Sequence, residues 1–254
     1  DCTSLTSVMF QGDLSSIGDS AFQGCTALTS VRFQGSLTSI GSSAFSGCTG
    51  LTSLTLPGGL TSIGKSAFQG CTALTSVWFQ GSLTSIGSSA FSGCTGLTNI
   101  SLPDGLASIG NSTFQGCTAL TSITLPGGLT SIGKSAFEGC SGLTGELIFP
   151  TGLTSIGDSA FYDCAGLTGI TLPDGLTSIG KSAFYGCTGL TSITLPRALT
   201  NLGTGAFART KIAAFASESD KFTVDKGGAV YDAYGSLRAY PAGSPQTTYA
   251  IQAG

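Results

Sequence analysis

Histidine is absent from the 254 residues, and charge is scarce: 13 acidic and 10 basic side chains leave a formal net charge of only −3. Without histidine the chain has no usual general base near neutral pH, no Ser-His-Asp triad and none of the commonest metal ligand. The small acidic balance excludes a polycationic nucleic-acid binder. No apolar run approaches the ~18 residues that a bilayer-crossing helix needs, so no membrane insertion is expected. No cleavable signal is visible either, because the chain opens at Asp1-Cys2-Thr3, already inside the pattern described next. Hydrophobic residues at 41% and aromatics at 9% are enough to build a core and too many for a disordered tail.

Cysteines stand at 2, 25, 48, 71, 94, 117, 140, 164 and 187, a spacing of 23 residues seven times and 24 once. A fixed period of this length means stacked units. Written from each cysteine, the unit is C-T-x-L-T-S-[IV]-x-[LF]-[PQ]-x-x-L-T-S-I-G-x-S-A-F-x-G, and it covers Cys2 to Arg209. Leu51-Thr52-Ser53-Leu54-Thr55-Leu56 fits L-x-x-L-x-L, a strand with Leu54 and Leu56 inward and Ser53 and Thr55 outward. Pro57-Gly58-Gly59 supplies a turn. Leu60-Thr61-Ser62-Ile63-Gly64 then reads as a short extended piece, and Ser66-Ala67-Phe68 as a helical or 3₁₀ turn that closes the core with Cys71. One coil cannot bury its own Leu, Ile and Phe, so stability must come from the coils above and below. One copy carries an extra residue at Gly145-Glu146, which predicts a β-bulge with Glu146 pushed outward.

After Ala208-Arg209-Thr210 the pattern degenerates. We therefore expect a solenoid of nine repeats over 1–209 and a different module over 210–254. In that module Ala229 to Tyr240 reads as two strands around a turn, able to cover the last coil, and Thr248-Tyr249-Ala250-Ile251 reads as the start of another strand. Both termini have the look of cuts in a longer protein.

The cysteine spacing places one thiol per coil, with no C-x-x-C and no zinc-type site, so no metal and no cofactor is expected. The cysteines read as an inward column of free thiols rather than disulfides. Serine and threonine abound without an activating base and read as solvated strand faces. Lys65, Lys134 and Lys181 share a unit position with Asp19 and Asp158, a mixed solvated edge. The second outward strand position is the most informative column: Met9, Arg32, Thr55, Trp78, Ser101, Thr124, Ile148, Thr171 and Thr194. Most of it is small and hydroxylated, and Met9, Arg32, Trp78 and Ile148 break the uniformity. Trp and Arg are residue types enriched among interface hot spots; a lone surface tryptophan is the bland alternative. Asn99-Ile100-Ser101 and Asn111-Ser112-Thr113 match the N-glycosylation pattern, which Ser/Thr-rich chains also produce by chance.

Residues 175–196, Gly-Leu-Thr-Ser-Ile-Gly-Lys-Ser-Ala-Phe-Tyr-Gly-Cys-Thr-Gly-Leu-Thr-Ser-Ile-Thr-Leu-Pro, closely resemble the BspA-like class of leucine-rich repeats, and the likeness extends over nearly the whole chain. The stretch from Gly227 to Gly243 also resembles a hairpin that this family places between repeat blocks. The resemblance implies a leucine-rich repeat solenoid: a right-handed coil with a parallel β-sheet on its concave face, short extended or 3₁₀ segments on the other side, and a C-terminal β-hairpin module. It further implies a secreted or cell-surface protein, without catalytic residues, used in adhesion and in binding an extracellular protein or surface glycan. Such repeats commonly bind through the concave sheet, where a glycan at Asn99 would also sit. Self-association into a filament or coat is the structural alternative, motivated by near-identical coils. An ice-binding surface is a third reading, against which Arg32, Trp78 and Ile148 interrupt the hydroxyl rows.

Overall fold

The computed structural model describes residues 2–81 and 83–244, and it is a solenoid whose coils each contribute two parallel strands. The longer strands run from Ser7–Phe10, Ser30–Phe33, Ser53–Leu56 and Ser76–Phe79 up to Ser192–Leu195. They pair with neighbours one coil away in four successive parallel sheets, as Ser53↔Ser76 and Leu56↔Phe79 do. Two-residue strands such as Ser39–Ile40 and Ser62–Ile63 form a second parallel stack. Alternation within Ser53–Leu56 follows the sequence: Leu54 and Leu56 are buried, Ser53 and Thr55 exposed. The thread Leu51, Leu54, Leu56, Leu60, Ile63, Ala67, Phe68 and Cys71 is buried throughout. Phenylalanines from Phe22 to Phe207 stack in register, ring centroids 5.0 to 5.7 Å apart.

The third side departs from expectation. Among the described residues it holds no α- or 3₁₀-helix. Its N–H groups alternate instead between the same coil and the next one. Phe45 donates to the carbonyl of Ala67 at 2.8 Å and Gly47 to that of Gln69 at 2.7 Å, while Ser46 and Cys48 close back on Ser43 and Phe45. A helix would direct every amide within its own coil and leave the neighbouring coil unpaired, whereas here each turn is also a rung. The alternation requires left-handed residues at two unit positions. Serine fills the first, as Ser43 at φ 54°, and glycine the second, as Gly47 at φ 73°. Asp163 and Arg209 occupy the second position at φ 56° and 57°, where other copies have glycine. Coils also approach so closely that a Cβ on Gly64 would meet backbone atoms of Gly41 and Ser42 at 2.6 Å.

The hydroxyl rows are not simply solvated. Thr29, Thr75, Thr98 and Thr121 each donate Oγ1 to the carbonyl of the equivalent threonine one coil earlier, at 3.0 to 3.2 Å. Beside the short strands Thr61, Thr84 and Thr177 donate in the same way to Thr38, Thr61 and Thr154, and Thr38 to the carbonyl of Ser15. The mixed Lys/Asp edge is likewise engaged: Asp19, Asn111 and Asp158 accept the backbone N–H of Ser42, Lys134 and Lys181.

The expected irregularity is present, since the register between Gly145–Ile148 and Leu167–Thr171 shifts at Gly145/Glu146, and Glu146 is exposed. Beyond Arg209 the long-strand stack gains a tenth member, Ala214–Ser217, parallel to Ser192–Leu195. An antiparallel sheet of Phe222–Val224, Val230–Asp232 and Leu237–Ala239 follows, one strand more than expected. Its two turns are alike: Asp225 accepts the amides of Gly227 and Ala229, and Asp232 those of Tyr234 and Ser236. The strand expected at Thr248 to Ile251 lies outside the described residues.

Candidate functional site: the strand face

All nine column residues, Met9, Arg32, Thr55, Trp78, Ser101, Thr124, Ile148, Thr171 and Thr194, are exposed on one face of the long-strand stack. Register brings them together in sequence order: Met9 pairs with Arg32, Thr55 with Trp78, Ser101 with Thr124, and Ile148 with Thr171. Thr194 pairs with Ala216, so the column has a tenth position that the repeat pattern did not reveal. Trp78 is 55% exposed and Ile148 67%, values that large apolar side chains keep only where nothing of their own chain covers them.

Three shallow grooves lie along this face. One of about 370 Å³ is lined by Arg32, Thr55, Gln34 and Gln80. A second, about 360 Å³, is lined by Trp78, Asn99, Ser101, Asp104 and Thr124. The third and largest, about 600 Å³, holds Thr171, Thr194 and Ala216 together with Glu146, Asp174 and Glu218. The face is thus electrically polarised, with Arg32 near one end and three carboxylates near the other. Sequence reasoning missed the acidic end because its members come from a bulge, a turn and the residue just beyond the strand Ala214–Ser217. Only Glu146 had been singled out, as a residue turned outward. It accepts the Thr171 hydroxyl at 2.7 Å.

The two glycosylation triplets stand differently. Asn99 is exposed and lines the Trp78 groove. Asn111 has its amide oxygen on the Lys134 N–H, and Thr113 is buried with its hydroxyl on the Gly110 carbonyl. A second departure from repetition lies on the turn side, where Tyr162 and Tyr185 stack at 4.7 Å and the Arg209 guanidinium sits 5.8 Å from the Tyr185 ring centre.

The cysteines are free thiols, buried from Cys25 to Cys187 and exposed at Cys2. Each thiol from Cys48 to Cys187 donates to a phenylalanine carbonyl of the preceding coil, as Cys71 does to Phe45 at 3.2 Å. Burial, reinforced by the adjacent Cys25, pushes the Cys48 thiol up to about 11. Burial likewise raises Cys117 and Cys187 to about 12. Such groups are poor nucleophiles at neutral pH, and their column serves packing. No cluster able to hold a metal and no helix long and apolar enough to cross a membrane occurs among the described residues.

Several solved structures share this architecture. A leucine-rich cell surface protein of Faecalibacterium prausnitzii is 29% identical, with a TM-score of 0.58 over 92% of this chain and 56% of that one. A leucine-rich repeat protein of Bacteroides ovatus is 26% identical, with a TM-score of 0.51 over 82% and 77%. The pneumococcal vaccine antigen PcpA shares the fold at 23% identity, with a TM-score of 0.58 over 84% and 62%. The chain therefore spans little more than half the length of the first of these. No curated protein matches it. The model of the BspA type leucine rich repeat region matches residues 1–121 and 107–227 in six copies, and the chain belongs to that family.

Proposed function

We propose that this chain is a non-enzymatic interaction module, displayed on a cell surface or secreted, that binds an extracellular protein or surface glycan through its strand face. The observation that carries the reading is Trp78: a tryptophan, 55% exposed, inside a groove and in a column otherwise mainly of small hydroxylated residues. Aromatic anchors set in pockets dominate many interfaces. Arg32 and Ile148 stand in the same column, separated from Trp78 by small hydroxylated residues: Thr55 on one side, Ser101 and Thr124 on the other. Family membership and the cell-surface protein of F. prausnitzii support the location. A glycan at Asn99 would narrow access to the Trp78 groove, and mass analysis of native material would detect it.

The test is binding to immobilised extracellular-matrix proteins, plasma proteins and glycans, beside a Trp78→Ser, Arg32→Ser variant. Saturable binding that the variant loses is the expected result. Binding that the variant retains would move the interaction to another face.

A further inference from the structure

We propose that the strand face is self-complementary and pairs two copies of this chain face to face, their solenoid axes antiparallel. The proposal rests on the reading that this face is the interaction surface, and it names the partner as a second copy. The ten outward positions read Met9, Arg32, Thr55, Trp78, Ser101, Thr124, Ile148, Thr171, Thr194 and Ala216 in spatial order. A two-fold axis parallel to the strands, passing midway between Ser101 and Thr124, lays this column over its own reverse. Trp78 then meets the Ile148 of the second copy, the two most exposed apolar side chains of the column. Arg32 meets Thr194, which lies in the groove lined by Glu146, Asp174 and Glu218. Those carboxylates have no ion-pair partner within the chain among the described residues, where the single ion pair is Arg238–Asp232. The remaining pairs are small: Ser101 with Thr124, Thr55 with Thr171, and Met9 with Ala216.

The register is specific. Moving the axis onto Ser101 sets Trp78 against Thr124 and Ile148 against Thr55. Moving it onto Thr124 sets Trp78 against Thr171 and Ile148 against Ser101. Only the midway axis satisfies the apolar match, and the same axis delivers Arg32 to the acidic groove. Two-fold symmetry makes each contact twice. Ten strands at ~4.8 Å, each about 13 Å long, set an upper limit of roughly 1,100 Å² on the area buried in total, at or below the lower limit of specific interfaces. The dimer is therefore a weak, reversible one.

Sedimentation equilibrium of the whole chain, from about 1 to 500 µM at low salt, tests it, with circular dichroism confirming that each variant is folded. The expected result is a monomer–dimer equilibrium whose dissociation constant rises about tenfold or more in Arg32→Glu and in Trp78→Ser. Adding Glu218→Arg to Arg32→Glu in the same chain should restore much of the affinity. A monomeric mass throughout would overturn the dimer, while loss of panel binding in the Trp78→Ser, Arg32→Ser variant would still uphold the strand face for a different partner. A dimer indifferent to both substitutions would also overturn it, by placing the contact elsewhere.

Discussion

The turn side and the strand face come from the same 23-residue unit, yet they constrain its residues in opposite ways. On the turn side each coil lends backbone hydrogen bonds to the next, and the room left between coils is less than a methyl group at positions such as Gly64 and Gly87. On the strand face the side chains point away from the stack, and any residue that tolerates a strand is admitted. Repetition is therefore enforced where coils touch through backbone and core, and relaxed where they do not. Met9, Arg32, Trp78 and Ile148 stand in the relaxed column.

Substitutions should reproduce that contrast. Phe91 is fully buried in the ring stack, and Phe91→Ala should cost about 3–5 kcal/mol in a urea titration; a loss under about 1 kcal/mol would remove the stack from the stabilising core. Gly87→Ala would set its methyl group 2.5 to 2.6 Å from the backbone of Lys65 and Gly64, and should cost about 1–3 kcal/mol through displacement of one coil. If the variant melts with the parent, the close approach does not hold the coils in place.

The thiol column predicts a pH dependence whose sign follows from burial. The folded thiols are raised from the ordinary value of 9.0, so their contribution is fully present below pH 9. Above it the unfolded chain ionises first, and stability should fall through the range from 9 to about 12. The urea midpoint should thus be lower at pH 10 than at pH 8, and an unchanged midpoint would contradict a buried protonated column. Asp163→Gly relieves a left-handed aspartate in a column of glycines and should stabilise by about 1 kcal/mol. Trp78→Ser, on the relaxed face, should leave the midpoint within about 0.5 kcal/mol of the parent while reducing binding.

Much of this was legible because repetition multiplies weak signals. The period, the inward leucines, the cysteine column and the bulge at Gly145 each follow from spacing and alternation alone. The turn side was misread because Ser66-Ala67-Phe68 has the composition of a short helix, and local pattern does not show that alternate amides of that segment are held by the next coil. The threonines were misread for the same reason. A hydroxyl on a strand looks solvated until a carbonyl from the coil below is found 3.0 Å away, as that of Thr52 is from Thr75. Glu146, Asp174 and Glu218 belong to different unit positions, so no column count could join them into one groove.

The amino-acid sequence by itself determined the solenoid, its core columns and the nine-repeat order along which the exceptional side chains are set, because each depends on a residue's position within a unit. The tertiary structure alone decided how neighbouring coils share hydrogen bonds, which carboxylates meet Thr194, and that a tenth strand closes the face. These depend on distances between residues 23 or more apart, and stacking, not local propensity, sets those distances.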